Sequence, residues 1–88
     1  MSEERASFEK AQADVKTITK RPTNDDLRFL YAHYKQANEG DVSGGRPGRL
    51  DMIGRAKFDA WRDLSGMSTD EAMRRYVEKV HDLLETHR

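Results

Sequence analysis

Two tyrosines and a lysine lie within five residues of one another, at Tyr31, Tyr34 and Lys35. In a helix, Tyr31 and Lys35 lie one turn apart on the same face, with Tyr34 on the adjacent edge. Aromatic rings stack on flat bases and a lysine ammonium binds phosphate, so this segment could hold a ligand that carries both groups. From spacing alone, however, the tyrosines are more simply core residues with surface hydroxyls, and Lys35 a solvated charge.

Basic residues are concentrated further along the chain. Residues 46–57 include four of them, against the single acidic residue Asp51, although the whole chain balances 16 basic and 16 acidic residues. A local positive patch on a neutral protein fits a small anionic ligand better than a long polyanion, and the balance argues against general nucleic-acid binding. Taken singly, Arg55 and Lys57 are more simply surface charges. A binding role requires them to converge with Lys35 near a helix N-terminus.

Three other patterns give no case for catalysis or for metal binding. The glycine-rich stretch 44–48 lacks the Gly-Lys-Ser/Thr ending of a phosphate loop and follows no strand. The three histidines, His33, His81 and His87, show no metal-ligand spacing. No Ser/His/Asp set or carboxylate pair stands at a convincing spacing, so the sequence predicts a protein that is not an enzyme and needs no cofactor.

Length and composition predict one small domain, residues 1–88. The chain has no cysteine, so packing alone must stabilise its core. There is no apolar run long enough to cross a membrane and no apolar signal-peptide region after Met1. A cytoplasmic location is therefore the default expectation.

Apolar residues follow a helical period throughout, without β-alternation. A first helical segment carries Phe8, Ala11, Val15 and Ile18 and stops before Pro22. Three basic residues near its end are expected to interact with the helix dipole: Lys16, Lys20 and Arg21.

A second helix is predicted from about Asn24 to Glu39, with Gly40 as its C-terminal stop. Thr23 and Asp26 before it have the spacing of a capping box. Its apolar stripe is narrow, and another apolar residue lies on the opposite side, so we expect this helix to pack between two neighbours. The stripe consists of Leu27, Leu30 and Tyr34, and the opposite residue is Phe29.

Residues 41–50 are predicted to form a loop. A third helix is expected from near Asp51 to Gly66, with apolar positions at Ile53, Ala56, Ala60 and Leu64. Residues 68–71 then form a predicted capping box before a fourth helix. The apolar positions of that helix are Ala72, Met73, Tyr76, Val77, Val80, Leu83 and Leu84. The prediction is an all-α four-helix bundle, in which the long loop means that the second and third helices need not be simple antiparallel neighbours.

Ordered runs of specific residue types cover nearly the whole chain from Phe8 to Leu84. They are PTxDxLxxLYAHYKQA at 22–37, GD at 40–41, RPG at 46–48, GRAKFDAW at 54–61 and DEAMxxY at 70–76, where x marks a position outside the pattern. Together they resemble the signature of the acyl-CoA-binding protein family. The resemblance implies a four-helix bundle of up-down-down-up type that binds long-chain acyl-CoA esters without chemistry of its own.

The resemblance also implies a site for the CoA head group. Lys35 and Lys57 would hold the 3′-phosphate of the ribose, while Tyr31 and Tyr34 would lie against the adenine and its phosphate. Tyr76 would complete the aromatic wall. Lys16 is also expected at this site. Ala32 and His33 are expected there too, but would make only incidental contacts.

The acyl chain is expected to lie in an apolar groove beside the second helix and the start of the third. Its expected lining, by resemblance, is Gln12, Leu27, Arg28, Ile53 and Ala56. Arg28 stands where the family often has an apolar contact, although its aliphatic stem can still cover a chain. Ile53 stands where the family often has a polar residue, and it either removes a head-group contact or extends the groove.

The function predicted from these features is a monomeric cytoplasmic carrier and buffer of long-chain acyl-CoA. Its partners would be acyl-CoA esters and, transiently, membranes or enzymes that use acyl-CoA, but not nucleic acid. Two rival hypotheses remain: a helical protein–protein interaction module and a small helical enzyme. The first predicts a large exposed apolar patch, and the second requires an acid, base or nucleophile in a cleft.

Overall fold

The computed structural model describes residues 2–87, which form four α-helices and one 3-10 turn and contain no β-strand. The elements are α1 (Glu3–Asp14), the 3-10 turn (Val15–Thr17), α2 (Asn24–Glu39), α3 (Met52–Arg62) and α4 (Thr69–Thr86). The predicted all-α class is confirmed. The predicted domain limits, residues 1 and 88, lie outside the described residues.

Each helix begins at a capping residue. Ser2, Thr23, Asp51 and Ser68 each accept a hydrogen bond from a backbone N–H in the first turn of the helix that follows. The predicted box at α2 is complete, since the Asp26 N–H donates to Thr23 Oγ1 (3.0 Å) and the Thr23 N–H donates to Asp26 Oδ2 (3.1 Å).

The box predicted for residues 68–71 forms only in part. The Glu71 N–H donates to Ser68 Oγ at 3.0 Å. The Glu71 carboxylate, however, accepts hydrogen bonds from Arg74 and Arg75, which follow it on α4. Charged donors one turn away make stronger bonds to a carboxylate than a backbone N–H does, which explains the difference.

The prediction for the first helical segment was wrong beyond Asp14. The chain tightens into the 3-10 turn and becomes extended at Ile18. The following residues cross the end of α4, where the N–H groups of Thr19 and Lys20 point to the His87 carbonyl at 3.1 and 3.3 Å. These tertiary bonds satisfy backbone groups that a longer helix would have used internally.

The prediction for the third helix was also too long. α3 ends at Arg62, and residues 63–66 form turns that finish at Gly66, where φ is +93°. In α2 the predicted stripe is only partly buried, because Leu27 is 37% exposed and Tyr34 is 40% exposed. Of the three stripe residues, only Leu30 belongs to the core.

The direction of each helix follows from paired contacts. α1 and α4 run parallel, since Arg74 lies 3.9 Å from Glu4 and the ring centroids of Phe8 and Tyr76 lie 5.0 Å apart. α2 runs antiparallel to α4, with Lys79 paired to Asp26 at 2.6 Å near one end. At the other end of α2, the Gln36 amide donates to the Met67 carbonyl at 2.8 Å.

α2 and α3 run parallel. Near their C-terminal ends, the Trp61 Nε1–H donates to the Gly40 carbonyl at 2.9 Å. One turn earlier on α3, the Lys57 ammonium lies over the Tyr31 ring. The order is therefore up-down-down-up, as predicted.

The core is formed by α1, α2 and α4. Its buried members are Phe8, Ala11, Leu30, Ala37, Ala72, Met73, Tyr76, Val80 and Leu83. Among the described helices α3 packs against α2 alone, and Trp61 is its one buried residue. A helix held along one side leaves space between itself and its neighbour, and this space contains the candidate site.

Candidate ligand-binding groove

The α2–α3 groove is a cavity of about 510 Å³ between the N-terminal halves of the two parallel helices. Its α2 side consists of Arg21, Asn24, Leu27 and Arg28. Its α3 side consists of Met52, Ile53, Ala56 and Lys57. The volume lies within the range of small-molecule sites, and the mixture of apolar and cationic lining suits an amphipathic anion.

Lys57 and Tyr31 come together at the C-terminal end of this groove. The Lys57 Nζ lies 5.3 Å from the centroid of the Tyr31 ring, a cation–π contact between α3 and α2. An ammonium over the face of an aromatic ring places a positive charge next to a flat surface. The two residues were predicted to meet, although 26 positions separate them in the sequence.

Lys35 lies further along α2 and contacts α3 as well. Its Nζ lies 4.9 Å from the centroid of the Trp61 ring and pairs with the Glu39 carboxylate. The hydrogen bond that the Lys35 ammonium donates to the Glu39 carboxylate raises the pKa of Lys35, and the nearby hydroxyl of Tyr31 acts in the same direction. Lys35 is therefore charged at neutral pH, but an anionic ligand must compete with Glu39 for it.

The rings of Tyr34 and Tyr76 both contact the ring of Phe8, on the side of α2 that faces α1. The Phe8 ring centroid lies 6.1 Å from that of Tyr34 and 5.0 Å from that of Tyr76. Tyr76 is a buried core residue, and burial raises the pKa of its phenol. Tyr34 is exposed, so it can present a ring to a ligand while Tyr76 holds Phe8 edge to face.

His33 and Ala32 present little surface to a ligand. His33 is only 4% exposed, stacks on Phe29 at 4.0 Å between ring centroids, and bonds the Phe29 carbonyl through Nδ1 at 2.7 Å. Burial lowers the pKa of His33. Ala32 is buried as well. The structure does not bring either residue to the α2–α3 groove, and their predicted incidental contacts stay a prediction.

Lys16 and Gln12 lie at the end of α1 and do not line the groove. Lys16 is exposed in the 3-10 turn, and Gln12 is half-buried with its amide 3.4 Å from the Phe8 carbonyl. Four predicted groove residues do line it: Leu27, Arg28, Ile53 and Ala56. Gln12 is the one member of that predicted set which lies elsewhere.

The predicted basic patch divides into separate roles. Arg46 forms a two-bond ion pair with Asp59, at 2.9 and 2.7 Å, which fastens the 41–51 loop to α3 and lowers the pKa of the Asp59 carboxyl. Arg55 is half-buried, and its Nε has no hydrogen-bond partner in the described residues. Of the four basic residues in the patch, only Lys57 lines the groove.

Sequence reasoning missed four residues of the site: Arg21, Asn24, Met52 and Trp61. Helical spacing could have found Asn24 and Met52, since Asn24 lies one turn before Arg28 and Met52 one turn before Ala56. Arg21 reaches the groove only because the chain turns there, as its guanidinium bonds the Pro22 carbonyl and Asn24 Oδ1. It was expected to interact with the α1 dipole, and that expectation was wrong.

Within residues 2–87, no group of three or more metal-ligating side chains comes together. Over the same range, no helix combines the length and the apolarity needed to cross a membrane. The fold and the groove define a class: a small helical bundle with an apolar and cationic groove between two parallel helices.

Comparisons with known proteins specify this class. The family model described as acyl CoA binding protein matches residues 5–80. The chain therefore belongs to the acyl-CoA-binding protein family, as the sequence motifs indicated. This is a family of binding and carrier proteins and not of enzymes.

Individual relatives agree with the family match. The acyl-CoA-binding protein of Brassica napus is 51% identical over 78 residues, which cover 89% of this chain and 85% of that protein. Acyl-CoA-binding protein 2 of Oryza sativa has a crystal structure that covers 94% of this chain and 90% of its own, with a TM-score of 0.90 and 41% identity. The crystal structure of ACBP from Moniliophthora perniciosa covers 99% of this chain and 84% of its own, with a TM-score of 0.87 and 40% identity.

Proposed function

We propose that this protein binds long-chain acyl-CoA esters and acts as their carrier and buffer, without catalysis. The observation that carries the proposal is the α2–α3 groove, whose apolar floor ends at the Lys57–Tyr31 contact. A ligand with an apolar acyl chain and an anionic nucleotide head group matches both the apolar floor and the Lys57–Tyr31 contact. The family membership and the names of the relatives support the same ligand class.

In this proposal the head group lies at the C-terminal end of the groove. Lys57 and Lys35 bind the 3′-phosphate through charge-assisted hydrogen bonds, which are stronger than neutral ones. Tyr31 and Tyr34 lie against the adenine, while buried Tyr76 supports Tyr34 through Phe8. Lys16, Gln12, Ala32 and His33 are secondary in this proposal, because they lie in the 3-10 turn, at the end of α1 or in the interior.

The acyl chain lies in the groove beside Ala56, Ile53 and Leu27. Ile53 is 73% exposed and Leu27 is 37% exposed, so both side chains have apolar surface for the chain to cover. Each methylene removed from water contributes roughly 0.8 kcal/mol, and a sixteen-carbon chain on the order of 10 kcal/mol before ordering costs. Affinity should therefore rise steeply with chain length until the chain passes the end of the groove.

Calorimetric titration tests the proposal directly. Hexadecanoyl-CoA should bind with a dissociation constant in the micromolar range or tighter, while CoA and hexadecanoate alone should bind far more weakly. The series from octanoyl-CoA to hexadecanoyl-CoA should gain up to about fifteenfold in affinity per two carbons, as the methylene contribution implies. An absence of saturable binding by hexadecanoyl-CoA would refute the proposed function.

We further propose that the carrier works as a cytoplasmic monomer that meets donor or acceptor surfaces transiently. Leu50 is fully exposed beside the groove residues Met52 and Ile53, which supports a docking surface at the start of α3. Size-exclusion chromatography with light scattering tests the monomer, and cell fractionation tests the location. Leu50→Ser should slow ligand transfer from lipid vesicles without changing the affinity for acyl-CoA in solution.

A further inference from the structure

Glu39 lies at the end of α2, on the same helical face as two of the proposed head-group residues. Tyr31, Lys35 and Glu39 follow one another at intervals of four residues, which places them in a row along one side of the helix. The Glu39 carboxylate pairs with the Lys35 ammonium and is half-exposed. An acidic side chain therefore stands beside the lysine that is proposed to bind the 3′-phosphate of the ligand.

The helix itself does not account for an acidic residue at this position. Glu39 is the last residue of α2, where the negative end of the helix dipole disfavours a carboxylate. An i,i+4 pair in which the lysine comes first is also the weaker of the two orders. At the start of the same helix, Asp25 and Asp26 take the positions that the dipole favours. What Glu39 contributes therefore lies in its contact with Lys35 and not in the stability of α2.

The Lys35 ammonium has neighbours on several sides at the head-group end. Its Nζ lies 4.9 Å from the centroid of the Trp61 ring, and the Glu39 carboxylate takes another side. The phenol groups of Tyr31 and Tyr34 lie near enough to raise its pKa, although less than Glu39 does. A phosphate that approaches Lys35 therefore also approaches the negative charge of Glu39.

The two lysines proposed for the 3′-phosphate differ in this respect. Lys57 contacts the Tyr31 ring and makes no ion pair within residues 2–87, whereas Lys35 already has a carboxylate partner. A carboxylate offers a cation the same kind of anionic oxygen acceptor that a phosphate does. A phosphate at Lys35 must either displace Glu39 or lie beside its negative charge, and both of these lower the affinity.

We propose that Glu39 is a specificity-determining residue for the 3′-phosphate, because it competes with that phosphate for Lys35. It weakens binding of acyl-CoA esters that carry the phosphate. It leaves esters without the phosphate unaffected, since the Lys35–Glu39 pair need not open for them. The protein therefore discriminates less against 3′-dephospho ligands than the same site would without Glu39. The inference rests on the proposed function, since it concerns the same head-group site.

Calorimetric titration with two ligands, hexadecanoyl-CoA and hexadecanoyl-3′-dephospho-CoA, tests the inference. Glu39→Gln keeps the shape of the side chain and removes its charge. This variant should bind hexadecanoyl-CoA about fivefold more tightly than wild type does, as expected for the loss of one competing ion pair. It should bind the dephospho ligand within about twofold of wild type. The measured quantity is the ratio of the two dissociation constants, compared between variants.

Two further backgrounds show whether Glu39 acts through Lys35. In Lys35→Met, the added Glu39→Gln substitution should change the ratio by less than about twofold, because the ammonium for which the two anions compete is gone. In Lys57→Met, the same substitution should still change the ratio by about fivefold, because the partner of Glu39 is Lys35.

Glu71→Gln is the matched control. Glu71 also belongs to an i,i+4 ion pair, with Arg75, but it lies on α4 and does not line the α2–α3 groove. The control removes the same charge by the same substitution and should leave the ratio unchanged. Thermal unfolding checks that each variant folds.

The contrary outcomes separate the inference from the proposed function. Equal tightening of both ligands in Glu39→Gln would mean that overall charge is responsible, and weaker binding of hexadecanoyl-CoA would mean that Glu39 orients Lys35 for the ligand. An unchanged ratio, or an effect that persists in Lys35→Met, would exclude competition for Lys35. Each of these results overturns the inference while acyl-CoA binding stands. Failure of hexadecanoyl-CoA to bind the wild-type protein overturns the proposed function instead.

Discussion

Lys57 on α3 holds its ammonium 5.3 Å from the centroid of the Tyr31 ring on α2. The contact marks the point where the α2–α3 groove changes from apolar to charged and aromatic. It joins a residue of α2 to a residue of α3, and these two parallel helices share few other cation–π contacts. It is therefore the place where a single substitution should most selectively weaken binding of the head group.

Lys57→Met shortens the unbranched side chain by one atom and removes its charge. We expect the dissociation constant for hexadecanoyl-CoA to rise by about tenfold, the loss of one charged hydrogen bond to phosphate. Lys10→Met is the control, since Lys10 is an exposed lysine on α1 that pairs with Asp14. Equal effects in the two variants, measured by calorimetry, would show that overall charge and not the site is responsible.

Trp61 provides an optical readout of Lys35. It is the only tryptophan in the chain, and the Lys35 ammonium lies 4.9 Å from its ring centroid while pairing with Glu39. A bound phosphate that moves the Lys35 ammonium away from Trp61 changes the electric field at the indole ring. Tryptophan emission should therefore change on saturation with acyl-CoA. The change should be much smaller in Lys35→Met. An undiminished change in that variant would mean that Lys35 does not respond to the ligand.

Gln36 is a fully buried polar residue that connects three segments. Its amide donates to Asp41 Oδ1 and to the Met67 carbonyl, both at 2.8 Å, and Asp41 Oδ1 also accepts from the Gly66 N–H. Gln36→Ala leaves the Met67 carbonyl without this donor and should lower the free energy of unfolding by about 1–3 kcal/mol.

Urea denaturation measures the Gln36 effect, with Gln12→Ala as the control. Gln12 is half-buried and its amide makes only a long 3.4 Å contact with the Phe8 carbonyl, so its loss should cost less. A similar loss of stability in both variants would contradict the special role assigned to Gln36.

His33 should make the stability of the fold depend on pH. Burial lowers the pKa of His33 in the folded protein below the unfolded value of about 6.5. The unfolded chain then binds the proton more readily, so the contribution of neutral His33 is complete above about pH 6.5 and is lost as the pH falls below it. One such group gives a slope of at most about 1.4 kcal/mol per pH unit.

Urea denaturation between pH 7 and pH 5 checks the His33 prediction. The fall in stability should be reduced in His33→Gln. It should persist in His81→Gln, because the His81 side chain is exposed. An unchanged slope in the His33 variant would assign the pH dependence to other groups.

Local sequence patterns predicted the limits of a helix correctly where the contacts that set those limits are themselves local. The limits of α2 match the prediction at both ends, because Thr23 and Asp26 close a capping box and Gly40 adopts a φ of +77° that other residues avoid. Predictions failed where the chain contacts distant segments. α1 ends early because Thr19 and Lys20 bond the carbonyl of His87, which no local pattern reveals.

The sequence by itself determined the class of fold, the family and the residue types of the site, since these follow from helical spacing, capping signals and ordered motifs. Only the tertiary structure decided which residues converge. It brought Lys57 to Tyr31, fastened Arg46 to Asp59 and turned Arg21 into the groove. The physical reason is that α3 packs against α2 alone, so its side chains meet partners according to helix direction and separation and not according to distance along the chain.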